Sequence, residues 1–421
     1  MNKAAQRNPL RHLRASDIRG AVRLAAQATH SVSRIVEGVH QSVWDRFGVR
    51  GSIPGQTGGV TGFVYNSIRG LTHALGVGVE ASLLLLEKAL DSPETANAVS
   101  PQREAVLAAL NGVMGDRLLA DDNPLAIGMT LRCRGTALDW SALPIIRNIP
   151  EPNGKLLLMI HGLCRNDLQW DSQHEGKTVN HGERLAAELG LTPIYLRYNT
   201  GLHVSQNGRE LAQQLEQLLR HWPLPLEEIS VLAHSMGGLV IRSAAHYART
   251  DGLAWPERLK NIVFLGTPHH GAPLERAGNI VDVLLGSTPF TVPLARLGQL
   301  RSPGITDLRF GCVVDEDWYG YDRFHRKPDS RRRVPLPEGV ACYAVAATTA
   351  AKRSLLADRL IGDGLVPLHS ALGHHRDRRR RLDFPKSSQW IAYQTSHMAL
   401  LNRPEVSAQM LRWLRPGSPA Y

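Results

Sequence analysis

The stretch that most constrains what this chain can fold into is Val231-Leu232-Ala233-His234-Ser235-Met236-Gly237-Gly238-Leu239-Val240-Ile241. A short apolar run stops at Ser235, two glycines follow Met236, and apolar positions then recur at helical spacing through Leu239, Val240 and Ala244. The pattern predicts a strand, a sharp turn and a helix. A turn this tight holds its central residue in a strained backbone and lifts that side chain clear of the sheet, so its neighbours must be small. Ala233 and Gly237 are small.

Around this stretch the sequence alternates between continuous apolar runs and helical patterns. Lys155 to Ile160, Pro193 to Tyr198, Ile229 to Ala233, Asn261 to Leu265 and Ala341 to Ala347 are too uniformly apolar for strands with one wet face. They predict a parallel sheet covered on both sides. Helical patterns at Gly182 to Leu189 and Ser205 to Leu219 fall between them. The expected architecture is a doubly wound α/β fold with a mostly parallel sheet, opened by a strand at Met129 to Cys133 with Thr136 to Trp140 as its hairpin partner. A last strand is expected at Gln389 to Gln394, and a terminal helix opened by Pro404 and Glu405.

Two segments break the alternation. Before the first strand, Ile18, Val22, Ala25 and later apolar residues to Val43 recur at steps of three and four; Phe63 to Leu90 reads as a second helix, and Ser100-Pro101 opens a third that runs to about Leu110. Residues 1–124 are therefore read as a helical extension, either a bundle or an appendage that meets a surface. Between 272 and 340 lie apolar stretches at Ile280 to Leu285 and Val292 to Leu300, an Asp, Trp and Tyr-rich loop and the basic run Arg331 to Arg333. That insertion is read as a helical cap over the site or a peripheral hairpin, inside a domain spanning 125–421.

Charge and cysteine usage narrow the partners. Of the net charge of +11, a disproportionate share sits in Met1 to Arg50, which fits contact with a membrane or lipid surface or a merely solvated face. Arg376 to Arg381 is interrupted by Asp377 and lacks interleaved aromatics, so no nucleic acid is expected. The four cysteines, Cys133, Cys164, Cys312 and Cys342, are widely spaced. Neither a metal nor any other cofactor is expected, and the location is expected to be cytoplasmic, or peripheral at a membrane or lipid surface.

A serine hydroxyl needs a base within hydrogen-bond reach, and that base needs an orienting acid. Asp363, in Gly362-Asp363-Gly364-Leu365-Val366-Pro367, and His397, in Thr395-Ser396-His397-Met398, each follow a predicted strand at the end where open parallel sheets build their sites.

These motifs resemble those of the bacterial lipase and GPI inositol-deacylase-like branch of the α/β-hydrolases, over roughly residues 125 to 415. The Ala233-His234-Ser235-Met236-Gly237 run resembles the nucleophile elbow G-x-S-x-G with alanine for the first glycine, and the order serine, aspartate, histidine matches as well. The resemblance implies Ser235 as nucleophile, Asp363 as acid and His397 as base. It also implies an oxyanion hole from the amide of Met236 and that of Leu163, the latter in His161-Gly162-Leu163 after the Leu156 to Ile160 run. His161, His234, His269 and His270 are read as structural, and Asp358 as a rival acid. The implied activity is a serine esterase acting on small-molecule or lipid-like acyl esters; an acyltransferase or thioesterase would need the same three residues, and a lipid-surface binding protein would use the fold as a scaffold.

Overall fold

A computed structural model describes residues 16–24, 101–138, 149, 151–272, 301–322, 328–351 and 362–415. The chain forms two compact units, Met1–Arg103 with Leu118–Ala126, and Glu104–Arg117 with Ile127–Tyr421. In the first, residues 16–24 are helical, the Asp17 carboxylate takes two hydrogen bonds of 2.6 Å from Arg103, and Asn123 Nδ2 donates to the Gly20 carbonyl at 3.1 Å. The expected helices beyond residue 24, as far as 100, lie outside the described residues, as do Ile280 to Leu285, Val292 to Leu300 and Asp358. No helix among the described residues is long and apolar enough to cross a membrane.

The second unit is built on an eight-stranded sheet. Its strands are β1 (Thr130–Cys133), β2 (Thr136–Ala137), β3 (Lys155–Ile160), β6 (Thr192–Arg197), β7 (Glu228–His234), β8 (Leu259–Leu265), β9 (Ala341–Ala347) and β10 (Gln389–Ala392), in the order β10-β9-β8-β7-β3-β6-β1-β2. β3 and β6 through β10 run parallel, and β1 pairs antiparallel with β6 and with β2. β4 (Ser172–His174) and β5 (Lys177–Val179) form a separate hairpin. The helices are α1 (Pro101–Ala120), α2 (His181–Leu189), α3 (Val204–His221), α4 (Met236–Thr250), α5 (Pro303–Asp307), α6 (Leu368–Ala371) and α7 (Pro404–Leu414). With β3 set between β6 and β7 and helices on both faces, this is the α/β-hydrolase fold.

The continuous apolar runs are explained by two cores, one on each side of the sheet. Side chains alternate faces along a strand, so Leu156, Leu158 and Ile160 of β3 enter one core and Leu157 and Met159 the other. The same division holds along β8, with Ile262 and Phe264 opposite Val263 and Leu265. The first core is closed by α3 and α4 through Leu211, Leu215, Leu239 and Ala244; the second is closed by α2 and α7 through Leu185, Val406 and Met410. Truncating any of these fully buried leucines to alanine costs about 2–5 kcal/mol. A sheet clamped this firmly is a rigid base for loops at the carboxyl ends of its parallel strands.

One expectation needs correction. The helix opened by Pro101 does not stop near Leu110 but continues to Ala120, with a kink at Met114. After β3, Asp167–Trp170 forms a turn of 3-10 helix, closed by a capping box between Asn166 and Gln169.

Candidate active site

β7 ends at His234, and α4 begins at Met236, leaving Ser235 alone in the turn at φ 55°, ψ −124°. A positive φ at a residue with a side chain costs of the order of 1–3 kcal/mol and persists only where the surroundings enforce it. Here the Ser235 N–H donates to the Leu265 carbonyl at 2.8 Å, and the Gly238 N–H donates back to the Ser235 carbonyl at 3.1 Å. The small residues around the turn are needed because a Cβ on Gly237 would stand 2.6 Å from the carbonyl oxygens of Ile160 and His161. Ser235 itself is buried, like Ala233 before it and Met236 after it.

His397 and Asp363 meet directly. His397 Nδ1 donates to Asp363 Oδ2 at 2.7 Å, and both side chains are buried. The other carboxylate oxygen accepts the amides of Leu365 at 2.9 Å and Val366 at 2.7 Å, while the Asp363 carbonyl accepts the His397 N–H at 3.0 Å. Both oxygens of the carboxylate are thereby held, one by backbone amides and one by the imidazole. Because Nδ1 carries the proton, Nε2 holds a lone pair, and that atom is buried with no hydrogen-bond partner. The ring packs against the end of β8: a Cβ on Gly266 would lie 3.1 Å from His397 Nδ1 and Cε1. The Ser235 N–H is hydrogen-bonded to the residue before it, Leu265, so nucleophile candidate and imidazole border adjacent residues of the chain.

The loop after β3 closes the third side. A Cβ on Gly162 would stand 2.9 Å from Ser235 Cβ and 3.2 Å from His234 Nδ1, which brings His161-Gly162-Leu163 against the elbow. The loop is pinned by bonds from Arg165 N to the Gly162 carbonyl and from Cys164 N to Thr200 Oγ1, with Cys164 at φ 58°. Neither bond uses the Leu163 amide. Met236 opens α4, so its amide is one of those that a helix start leaves without an internal partner.

The neighbouring imidazoles are held neutral by burial. His161 donates from Nδ1 to the Gly162 carbonyl at 3.0 Å, stacks on Tyr198 at 4.5 Å, and is pushed down to about 3, mainly by desolvation. His234 donates from Nε2 to the His397 carbonyl at 3.3 Å and is likewise pushed well below the usual histidine range, first by burial and then by the facing His397. His270 donates from Nε2 to the Gly373 carbonyl at 3.0 Å. None of these three has a carboxylate to orient it as Asp363 orients His397.

Sequence reasoning missed several supports of this arrangement. Tyr198 donates its hydroxyl to the His161 carbonyl at 2.8 Å, Thr200 accepts from the loop, and the buried Arg165 guanidinium donates to the Gln169 carbonyl at 3.2 Å. All three act through backbone groups, which leave no residue-type signature. A cleft of about 510 Å³ bordered by Cys342, Tyr343 and Trp413 lies at the opposite end of the strands and contains none of the candidate residues. No group of three or more metal-ligating side chains occurs among the described residues.

Comparison with known proteins adds likenesses at low identity. Residues 139–300 match a family described as Domain of unknown function (DUF7379). No curated protein matches the chain. Among solved structures, the mature lipase BlEst2 of Bacillus licheniformis is 16% identical with a TM-score of 0.40, covering 63% of this chain and 94% of that one. Lipase B of Aspergillus fumigatus is 11% identical with a TM-score of 0.35, over 63% and 56%. The esterase of Pyrobaculum calidifontis is 14% identical with a TM-score of 0.34, over 63% and 76%.

Proposed function

We propose that the protein is a serine ester hydrolase acting on lipid-like or other apolar acyl esters through an acyl-enzyme. The observation that carries this reading is the buried 2.7 Å bond from His397 Nδ1 to Asp363, which leaves a lone pair on Nε2 at the rim where the strained Ser235 turn stands. That is the protonation state a general base requires.

In this reading Ser235 Oγ attacks the ester carbonyl and its proton passes to His397 Nε2. The carbonyl oxygen takes up the negative charge and is met by the amides of Leu163 and Met236, each worth about a hundredfold or more in rate. Collapse of the tetrahedral species breaks the bond to the alkoxy group, and the imidazolium returns its proton to the leaving alcohol. Water, deprotonated by the same imidazole, then attacks the acyl-enzyme and releases the carboxylic acid and free Ser235. Asp363 holds the imidazole orientation and stabilises its cationic form throughout. The preference for apolar acyl groups is supported by the lipase-like form of the four motifs.

The test is hydrolysis of p-nitrophenyl esters of graded acyl length by the wild type and by Ser235→Ala. Turnover that rises from short to medium or long chains and vanishes in the variant supports the reading. Full turnover in Ser235→Ala refutes it. Adding an alcohol or thiol acceptor to the same reaction separates hydrolysis from acyl transfer by the product formed.

A further inference from the structure

On α4, seven residues beyond Ser235, Arg242 is carried into the protein and is 5% exposed. Its NH2 donates to the Val334 carbonyl at 2.7 Å and its NH1 to His269 Nδ1 at 3.4 Å, while Nε is buried without a partner. Among the described residues no carboxylate pairs with it. Asp317, the acid whose field reaches it, has its oxygens turned to the amides of Val313, Val314 and Arg332. An arginine taken out of water without a counter-charge is strongly unfavourable, so such a residue marks a place where negative charge arrives from outside.

The surroundings say what kind of charge. Arg242 lines a small cleft of about 30 Å³ together with His269, His270, Arg331 and Arg380. Because His269 Nδ1 accepts from Arg242, its proton sits on Nε2, and that second N–H is also buried and unpartnered. Arg331 and Arg380 share one carboxylate, Asp329, at 2.9 and 2.8 Å, and Asp377 stands 3.9 Å from Arg380. Arg332 and Arg333, also on the cleft wall, are paired with Glu316 and Asp383. Arg242 and His269, both on the cleft wall, thus each keep a buried N–H without an acceptor, and among the described residues Arg242 has no anion. A group of several oxygens and full negative charge meets both needs, since guanidinium forks match phosphate geometry.

We propose that this cleft is a binding site for a phosphate group, either free inorganic phosphate or the phosphate monoester headgroup of a lipid. The site stands independently of the ester-hydrolase reading, since none of its residues is assigned to the triad or the oxyanion hole. Its test is isothermal titration of inorganic phosphate into the wild-type protein, Arg242→Met and Arg380→Gln, against chloride at equal ionic strength. Saturable phosphate binding in the wild type, weakened about tenfold or more in both variants, is the expected result. Arg380→Gln changes a side chain that is 26% exposed and so reads the site even if Arg242→Met fails to fold. No binding by the wild type, or wild-type affinity in Arg380→Gln and in any folded Arg242→Met, overturns the proposal. Flotation with phosphatidylcholine vesicles, with and without phosphatidic acid, names the source. Retention on the acidic vesicles that the variants lose assigns the lipid headgroup, and its absence alongside phosphate binding assigns the free ion.

Discussion

Replacing Asp363 by asparagine probes the orientation of His397 with little change of shape. One oxygen of Asp363 accepts two backbone amides, from Leu365 and Val366, and the other accepts His397 Nδ1–H. An asparagine at 363 keeps its oxygen where the two amides point, because turning the amide group over would set N–H against N–H twice. Its NH2 then faces His397 Nδ1. That nitrogen must become the acceptor, and the ring proton moves to Nε2, the atom the mechanism needs unprotonated. The fold is kept while the base is lost. A wrong tautomer of this kind in a serine triad lowers kcat about 10⁴-fold, or ~5.5 kcal/mol of barrier. Initial rates of p-nitrophenyl ester hydrolysis measure the loss, with circular dichroism and thermal unfolding checking that the protein remains folded. A folded Asp363→Asn protein that keeps more than about a tenth of wild-type kcat would refute the assignment of His397 and Asp363.

Two further perturbations follow from the same geometry. Gly162→Ala puts a methyl group 2.9 Å from Ser235 Cβ, so the loop must retreat and carry the Leu163 amide with it; kcat should fall about a hundredfold with KM nearly unchanged, read by steady-state kinetics on the folded variant. His181 is fully buried between Ser407 Oγ at 2.6 Å and the Leu400 carbonyl at 2.9 Å, and burial pushes it down to about 4. A histidine with a lowered folded pKa contributes stability that is complete above its unfolded value near 6.5 and is lost as pH falls toward the folded value. Urea unfolding at pH 7 and pH 5 should therefore show a loss that is ~2 kcal/mol smaller in His181→Gln than in the wild type.

The parts of the fold that were legible in the sequence are those where burial dictates residue type. β3, β8 and β9 stand out because both faces of each strand are covered, which forces unbroken apolar runs. α1 runs on past the expected end near Leu110, through Gly112 and Gly115. These glycines are small for packing reasons: a Cβ on Gly112 would collide with Cys164, and one on Gly115 with Asn199, whose Nδ2 donates to the Gly115 carbonyl at 3.0 Å. The β4–β5 hairpin was invisible because its strands carry almost no apolar residues, and its turn at Glu175 and Gly176, both at positive φ, uses a glutamate where asparagine or aspartate is the usual signal. At the site, residue types and chain order pointed to Ser235, Asp363 and His397, but the meeting of two side chains 34 positions apart depends on β9 and β10 pairing in register, which no local pattern encodes. The cleft around Arg242 shows in the sequence only as the separate basic runs Arg331 to Arg333 and Arg376 to Arg381, since their meeting with α4 and the turn after β8 is made by the fold.

Whether Ser235 is an activated nucleophile is answered most directly by covalent labelling with a fluorophosphonate, mapped by mass spectrometry. The account predicts one adduct on the peptide carrying Ser235, absent in Ser235→Ala and slowed by orders of magnitude in Asp363→Asn. A folded wild-type protein whose Ser235 stays unmodified, or whose Asp363→Asn form labels at the wild-type rate, would contradict it.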